Sequence, residues 1–415
     1  MMVEEQMIGS LAGRIQQELA TLSRYSATEK GVTRLPFTKE AEDALVCLEK
    51  MMREAGLSTC RDGSGALHGF LPGKSDKLFI IGSHYDSVVE GGAYDGIAGV
   101  VCGIEIARHF SPNTLPFTLE IVAFNDEEGV RFGGGFLSSK ALLGELKPAE
   151  LKNYCDADGL SCYEAMQRSG YDPEKISEDA WSVENIVGFL EIHIEQGARL
   201  YQAGLPIGLV TGIVGMRRFD IELTGRADHA GTTPMNMRAD ALTAAAAFIL
   251  TAQKAAKERA APDVVATVGV CEVRPGTVNT VPASVHLTLD VRSLDAAVRD
   301  EVVAECFAAL RKAAAENDLT VKTQEKLTVA PVKMDEMLMA RLSEAMTEED
   351  ISYMALASGA GHDALPIARR LPAAMLFVPS RDGRSHCPEE YSEPEDFARA
   401  VQVAIHMLED WSEAL

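Results

Sequence analysis

The chain has no Cys-x-x-Cys pair, no apolar run long enough to span a bilayer and no excess of positive charge. Each absence removes a class of function. The eight cysteines are dispersed over 415 residues, which excludes a thiolate zinc site and points to reduced thiols rather than a disulfide framework. No stretch approaches the roughly 20 apolar residues of a transmembrane helix. Residues 1–7 lack the positive region and apolar core of a secretory signal, so the expected compartment is cytoplasmic. Lys and Arg number 39 against 62 Asp and Glu, a net charge of −23 that disfavours nucleic acid and anionic membrane as partners. An anionic small molecule stays open, provided local arginines override the global field. There is no internal repeat, and the Ala cluster at 244–247 reads as ordinary helix.

What is present is the composition of a globular protein, 47% hydrophobic and 24% charged, long enough for two domains. Apolar spacing at Leu11, Ile15, Leu19 and Leu22 predicts a helix over 9–23. A second helix, over 38–55, opens at Thr38 and stops at Gly56. Apolar runs at 78–83, 117–124 and 187–194 predict strands, with helical stretches such as 96–110 between them. That alternation predicts an α/β fold with a mixed, largely parallel sheet flanked by helices. From about 211 to 330 the texture changes. An alternating strand at 214–225, an Ala-rich helix at 239–260, strands at 264–273 and 284–292 and a helix at 294–316 predict an inserted α+β sandwich. The expected organisation is therefore a catalytic domain of 1–210 with 331–415, and an insert of 211–330.

Polar residues break the apolar pattern at strand ends. Glu127 and Glu128 close the run that begins at Leu119, and adjacent carboxylates there repel unless something positive lies between them. His84 and Asp86 leave the end of another apolar run; two apart, they share a strand face, and a carboxylate so placed can orient an imidazole. Taken singly, a His after a strand more often serves structure than a metal, and Asp95, in a glycine-rich turn, reads well as a helix N-cap. Glu191, His193 and Glu195 line one face of a further apolar strand, and His386 lies in the polar loop that follows Pro379. His, Asp and Glu at successive strand ends supply the donors of a divalent metal site, at the edge where ligands gather in parallel sheets.

The segments Gly82-Ser-His-Tyr-Asp-Ser, Tyr94-Asp-Gly, Asn125-Asp-Glu-Glu-Gly-Val-Arg-Phe and Glu191-Ile-His-Ile-Glu-Gln-Gly carry a resemblance. Asp228-His-Ala-Gly-Thr-Thr-Pro-Met, Val278-Asn-Thr-Val-Pro, Gly359-Ala-Gly-His-Asp-Ala and Ser385-His-Cys-Pro-Glu-Glu complete it. Together they resemble the M20 metallohydrolases, in the hydantoinase/carbamoylase amidase branch. That branch holds N-carbamoyl-L-amino acid hydrolases, allantoate amidohydrolases and ureidopropionases. The likeness runs from about residue 8 to the C-terminus.

The resemblance implies two zinc or manganese ions. His84 and His193 would each cap one metal, with Asp95 as the bridge and Glu128 and His386 sharing the other metal's shell. Glu127 would be the general base, Asp86 would hold His84, and His229 would stabilise the oxyanion. Gln196 would hold the ureido end of the substrate, with Asn279 and Arg292 on its carboxylate. The insert would act as a lid and as the contact of a homodimer. Arg218 stands where allantoate amidohydrolases have a substrate-binding arginine, and read without the resemblance it is equally an outward strand residue. The expected reaction is hydrolysis of a terminal ureido C–N bond in a small anionic ureido acid, with allantoate ahead of N-carbamoyl amino acids. An M20 peptidase or aminoacylase fits less well because of the His-Ile-Glu-Gln-Gly segment. A metal-holding protein without catalysis would lack Glu127 or a ligand, and none is missing.

Overall fold

Residues 2–259 and 264–413 are described in a computed structural model. In chain order the strands are β1 (Ser58–Arg61), β2 (Leu67–Leu71), β3 (Leu78–His84), β4 (Thr118–Phe124), β5 (Ile186–Ile194), β6 (Ile207–Ile213) and β7 (Gly215–Thr224). They continue as β8 (Val265–Thr267), β9 (Cys271–Arg274), β10 (Ser284–Ser293), β11 (Thr320–Val329), β12 (Val332–Lys333), β13 (Tyr353–Ser358) and β14 (Ala373–Val378). The chain divides into two units. One is Met1–Thr211 with Met334–Leu356 and Ala360–Leu415; the other is Gly212–Lys333 with Ala357–Gly359.

In the first unit the sheet runs β1-β2-β4-β3-β5-β14-β6. Its centre, β4-β3-β5-β14, is parallel, and the neighbours on either side are antiparallel. The centre is buried on both faces, which is why these strands read as unbroken apolar runs. The helix Ile97–His109 contributes Val100, Val101 and Ile104 to a core with Phe79, Ile81, Ile121 and Ile192 of the sheet. Ile15, Leu19 and Leu22 of the first helix and Phe397, Val401 and Leu408 of the last join the same cluster. Thr38 caps the helix Lys39–Glu54, its side chain accepting from Ala41 N. A smaller cluster joins Phe37 and Phe132 to the short helices Leu137–Leu142 and Cys162–Arg168.

The second unit is an antiparallel sheet in the order β11-β7-β10-β8, with β9 also on β10. Burial alternates strictly along β10, and its covered face meets the helices Ala241–Glu258 and Ala296–Glu316. Asp240 and Asp295 cap those helices through their carboxylates. The strand expected at 264–273 is two strands. Thr267 pairs with Asp290 but Cys271 pairs with Leu287, so three residues on one side face two on the other. The ladder bulges there, and the Thr288 hydroxyl accepts from Val270 N. No helix among the described residues is long and apolar enough to cross a membrane. All eight cysteines are free thiols.

Candidate metal centre

The four parallel strands bring their carboxyl ends to one edge, and that edge collects the polar residues. β3 ends on His84, β4 runs into Asn125–Glu128, β5 carries His193, and the loop after β14 carries His386. Asp95 comes from the turn that opens the helix Ile97–His109. The next residue, Gly96, has φ 67°, and a Cβ there would lie 2.4 Å from the His84 ring. Only glycine lets that turn close over the imidazole.

Asp95 is the hub. Its Oδ1 lies 3.5 Å from His84 Nε2 and 3.1 Å from His193 Nε2, and those two nitrogens are 3.5 Å apart. Its Oδ2 lies 3.1 Å from His386 Nε2, which is 3.4 Å from Glu128 Oε1. Two ligand groups result, His84–Asp95–His193 and Asp95–Glu128–His386, each with donor atoms within 4.8 Å of one another and with Asp95 common to both. Asp95 Oδ1 is buried and makes no hydrogen bond among the described residues. A buried carboxylate oxygen left so is costly unless a cation faces it. Glu127 stands alongside, 8% exposed, with Oε2 3.9 Å from His84 Nε2.

The electrostatics agree with the geometry. The hollow that these residues line, about 290 Å³, has no Lys or Arg in its wall. Burial pushes Glu127 well above the usual carboxylate range, and Glu128, Asp363 and Asp86 add to it against the opposing pull of His84. Burial likewise brings Glu128 up to about 7. Burial would raise Asp95 too, but His193, His386 and His84 hold it well below its ordinary value. His386 is raised to about 9, chiefly by Asp95. Carboxylates gathered around three histidines, with no Lys or Arg among the described lining residues, suit divalent cations that the same histidines can ligate. Mixed nitrogen and oxygen donors with no thiolate fit two zinc or manganese ions.

Backbone strain concentrates in the same place. Asp126, Phe136, Gln196 and His386 all hold left-handed φ, between 55° and 58°. Such angles cost energy in residues with side chains and persist where the surroundings impose them. Gln196 Nε2 donates to Asp95 Oδ2 at 2.8 Å, while its Oε1 is buried with no hydrogen-bond partner among the described residues.

Two residues act differently from the sequence expectation. Asp86 was expected to hold His84 through its carboxylate, but His84 Nδ1 meets the Asp86 backbone carbonyl at 3.0 Å, and the carboxylate is 3.7 Å away. The carboxylate accepts instead from Glu127 N and Glu128 N, so it fixes the turn that presents both glutamates. Glu195 does not join His193; it accepts from Arg199 N and Leu200 N and caps a short helix. Glu191 does stay with the site, buried and bonded to Ser83 Oγ and Ala364 N. Ser385 and Glu390, to which the sequence pattern attaches no role, bracket His386 and contact Asp95.

The remaining candidates belong to the second unit. Arg218 and Arg292 meet at one carboxylate: Arg218 donates from Nε and Nη2 to Asp290 Oδ2, and Arg292 Nε donates to Asp290 Oδ1. The cause is register, because Asp290 faces Arg218 across the ladder and Arg292 lies two residues along on the same face. His229 and Asn279 sit on facing loops, joined by the bond from Ala230 N to Asn279 O, and both are exposed. Elsewhere in the first unit a larger hollow, about 530 Å³, is lined by Tyr201, Arg381, Tyr391 and Arg399. Its arginines are ion-paired with Glu393 and Asp396, and among the described residues it gathers no ligand set.

Comparison with known proteins agrees. The model of peptidase family M20/M25/M40 matches residues 80–410. An N-carbamoyl-L-amino-acid amidohydrolase from Paenarthrobacter aurescens is 38% identical over 403 residues, covering 96% of this chain and 97% of that one. An allantoate amidohydrolase from Escherichia coli is 36% identical over 407 residues, covering 97% and 98%. The crystal structure of a hydantoinase/carbamoylase family amidase from Burkholderia multivorans superposes with a TM-score of 0.89 at 30% identity, covering 97% and 98%. This chain belongs to the M20/M25/M40 peptidase family, in its hydantoinase/carbamoylase amidase branch, and is a metal-dependent amidohydrolase.

Proposed function

We propose that the protein hydrolyses the terminal ureido C–N bond of a small ureido acid, releasing ammonia and carbon dioxide, and that its substrate is allantoate or a close analogue. The observation that carries the reading is the pair of ligand groups sharing Asp95 beside the buried Glu127. Two divalent ions held there would acidify a water and polarise the ureido carbonyl. Glu127 takes the proton of the attacking water and delivers it to the leaving nitrogen, a task suited to a carboxylate raised by burial. Loss of ammonia leaves a carbamic acid, which splits into amine and carbon dioxide. The unpartnered Gln196 Oε1 is an acceptor for the ureido NH₂.

The second unit supplies recognition in this proposal. Arg292 and Asn279 bind the substrate carboxylate, and His229 donates to the oxyanion. Arg218 reads a further anionic or carbonyl group, which favours allantoate. A homodimer formed through this unit and a cytoplasmic setting, in keeping with eight free thiols, belong to the same reading. A second reading, an N-carbamoyl-L-amino acid substrate, is favoured by one observation: Asp290 takes the Nε–Nη2 edge of Arg218, the edge best suited to a carboxylate.

The test is ammonia release from allantoate, ureidoglycolate, N-carbamoyl-β-alanine and several N-carbamoyl-L- and D-amino acids, with manganese or zinc supplied. The largest kcat/KM is expected for allantoate. A larger value for N-carbamoyl-L-amino acids selects the second reading, and no ammonia from any ureido acid overturns both.

A further inference from the structure

We infer that Glu390, acting with Ser385, is a positioning residue that aims the Asp95 carboxylate at both ligand groups. Glu390 is 4% exposed and forms no part of the two ligand groups. A buried carboxylate costs stability unless it is fully hydrogen-bonded, and this one is. Its Oε1 accepts from Tyr94 N at 3.0 Å and from Asp95 N at 3.1 Å, and its Oε2 accepts from Ser385 Oγ at 2.7 Å. The same Ser385 hydroxyl lies 3.2 Å from Asp95 Oδ2. One side chain therefore ties the turn that carries Asp95 to the loop that carries His386. These segments are far apart in sequence, and each supplies a donor to the Asp95–Glu128–His386 group.

A second observation is independent of those bonds. A Cβ at Gly92 would lie 1.9 Å from Glu390 Oε1 and 2.1 Å from its Cδ. The turn before Asp95 is thus shaped around this carboxylate, and a methyl group at Gly92 must displace it. With its peptide N–H held, Asp95 points Oδ1 toward His84 and His193 and Oδ2 toward His386. The Ser385 hydroxyl has a single proton, and the shorter contact gives it to Glu390, which spares Asp95 Oδ2 a further donor beyond Gln196 Nε2. In Glu390→Gln the amide oxygen can keep both backbone bonds, but its NH₂ must donate to Ser385. The serine proton then turns onto Asp95 Oδ2 and makes it a poorer ligand.

The inference rests on the metal reading above, and the experiment separates the two. Purified full-length protein and its variants are stripped of metal, and zinc or manganese alone is titrated back against a chromophoric chelator. The unfolding midpoint is recorded with and without metal. Wild type is expected to bind two ions. Glu390→Ala and Gly92→Ala are each expected to bind metal roughly 10- to 100-fold more weakly, the usual scale for a lost outer hydrogen-bond partner. Glu390→Gln and Ser385→Ala should fall between them and wild type, and the midpoint gained on adding metal should shrink in the same order. Wild-type affinity in both Glu390→Ala and Gly92→Ala overturns the inference, as does a lowered metal-free midpoint with affinity unchanged, which would make Glu390 a structural tie. If either variant fails to fold, Ser385→Ala decides by the same criterion. Wild type that binds no ion overturns the metal reading, and this inference with it.

Discussion

Apart from His386, whose side chain is 48% exposed, the two units treat their candidate residues in opposite ways. In the first, His84, Asp95, Glu127 and His193 are each at most 8% exposed and lie within a few ångströms of one another. In the second, His229 and Asn279 are exposed, and the Arg218 and Arg292 side chains retain 45% and 30% of their exposure. Bond-making groups need fixed distances, which a parallel sheet edge supplies before substrate arrives. Groups that choose among substrates must reach a ligand and release it, and surface loops and half-open strands allow that. The contrast supports the proposal that the first unit carries the chemistry and the second the selectivity.

The severest way to break that division is Glu127→Gln. Amide replaces carboxylate at the same size, so fold and bound metal should persist while turnover falls by about a hundred- to ten-thousand-fold. Near-normal kcat in a metal-loaded variant would take the proton transfer away from Glu127. Next in size is Arg292→Ala. Losing the partner of a substrate carboxylate costs roughly 2–5 kcal/mol when desolvated, and a side chain still 30% exposed belongs at the lower end. The loss should fall alike on every substrate in the ammonia panel. Arg218→Ala is the finest probe: kcat/KM for allantoate should drop by about tenfold, near 1.4 kcal/mol, while small N-carbamoyl amino acids are spared. Equal losses on all substrates would remove the case for allantoate, and no loss on any would make Arg218 a surface partner of Asp290 alone.

The sequence told much about the first unit because its signals are local. An apolar strand that stops on His84 or runs into Glu127 and Glu128 marks a ligand edge without any knowledge of pairing. The β4-β3-β5-β14 adjacency that brings those ends together is long-range, and no local pattern encodes it. Glu195 shows the cost of reading periodicity alone. It follows Glu191 and His193 at a spacing of two, yet the strand ends at Ile194 and its carboxylate turns to cap a helix. Asp86 shows a subtler limit, since residue spacing cannot say whether a backbone carbonyl or a carboxylate meets an imidazole. Asp290 was missed because its role depends on register: only the β7–β10 ladder places it between two arginines.

The central claim is that Asp95 sits between two divalent ions, and anomalous diffraction from crystals of the metal-loaded protein tests it most directly. Data collected at the absorption edge of zinc or manganese should give two peaks flanking Asp95. One is expected within bonding reach of His84 and His193, the other within reach of Glu128 and His386. No peak beside Asp95 would contradict the account. So would a peak found only at the exposed Glu348–His406–Asp410 cluster.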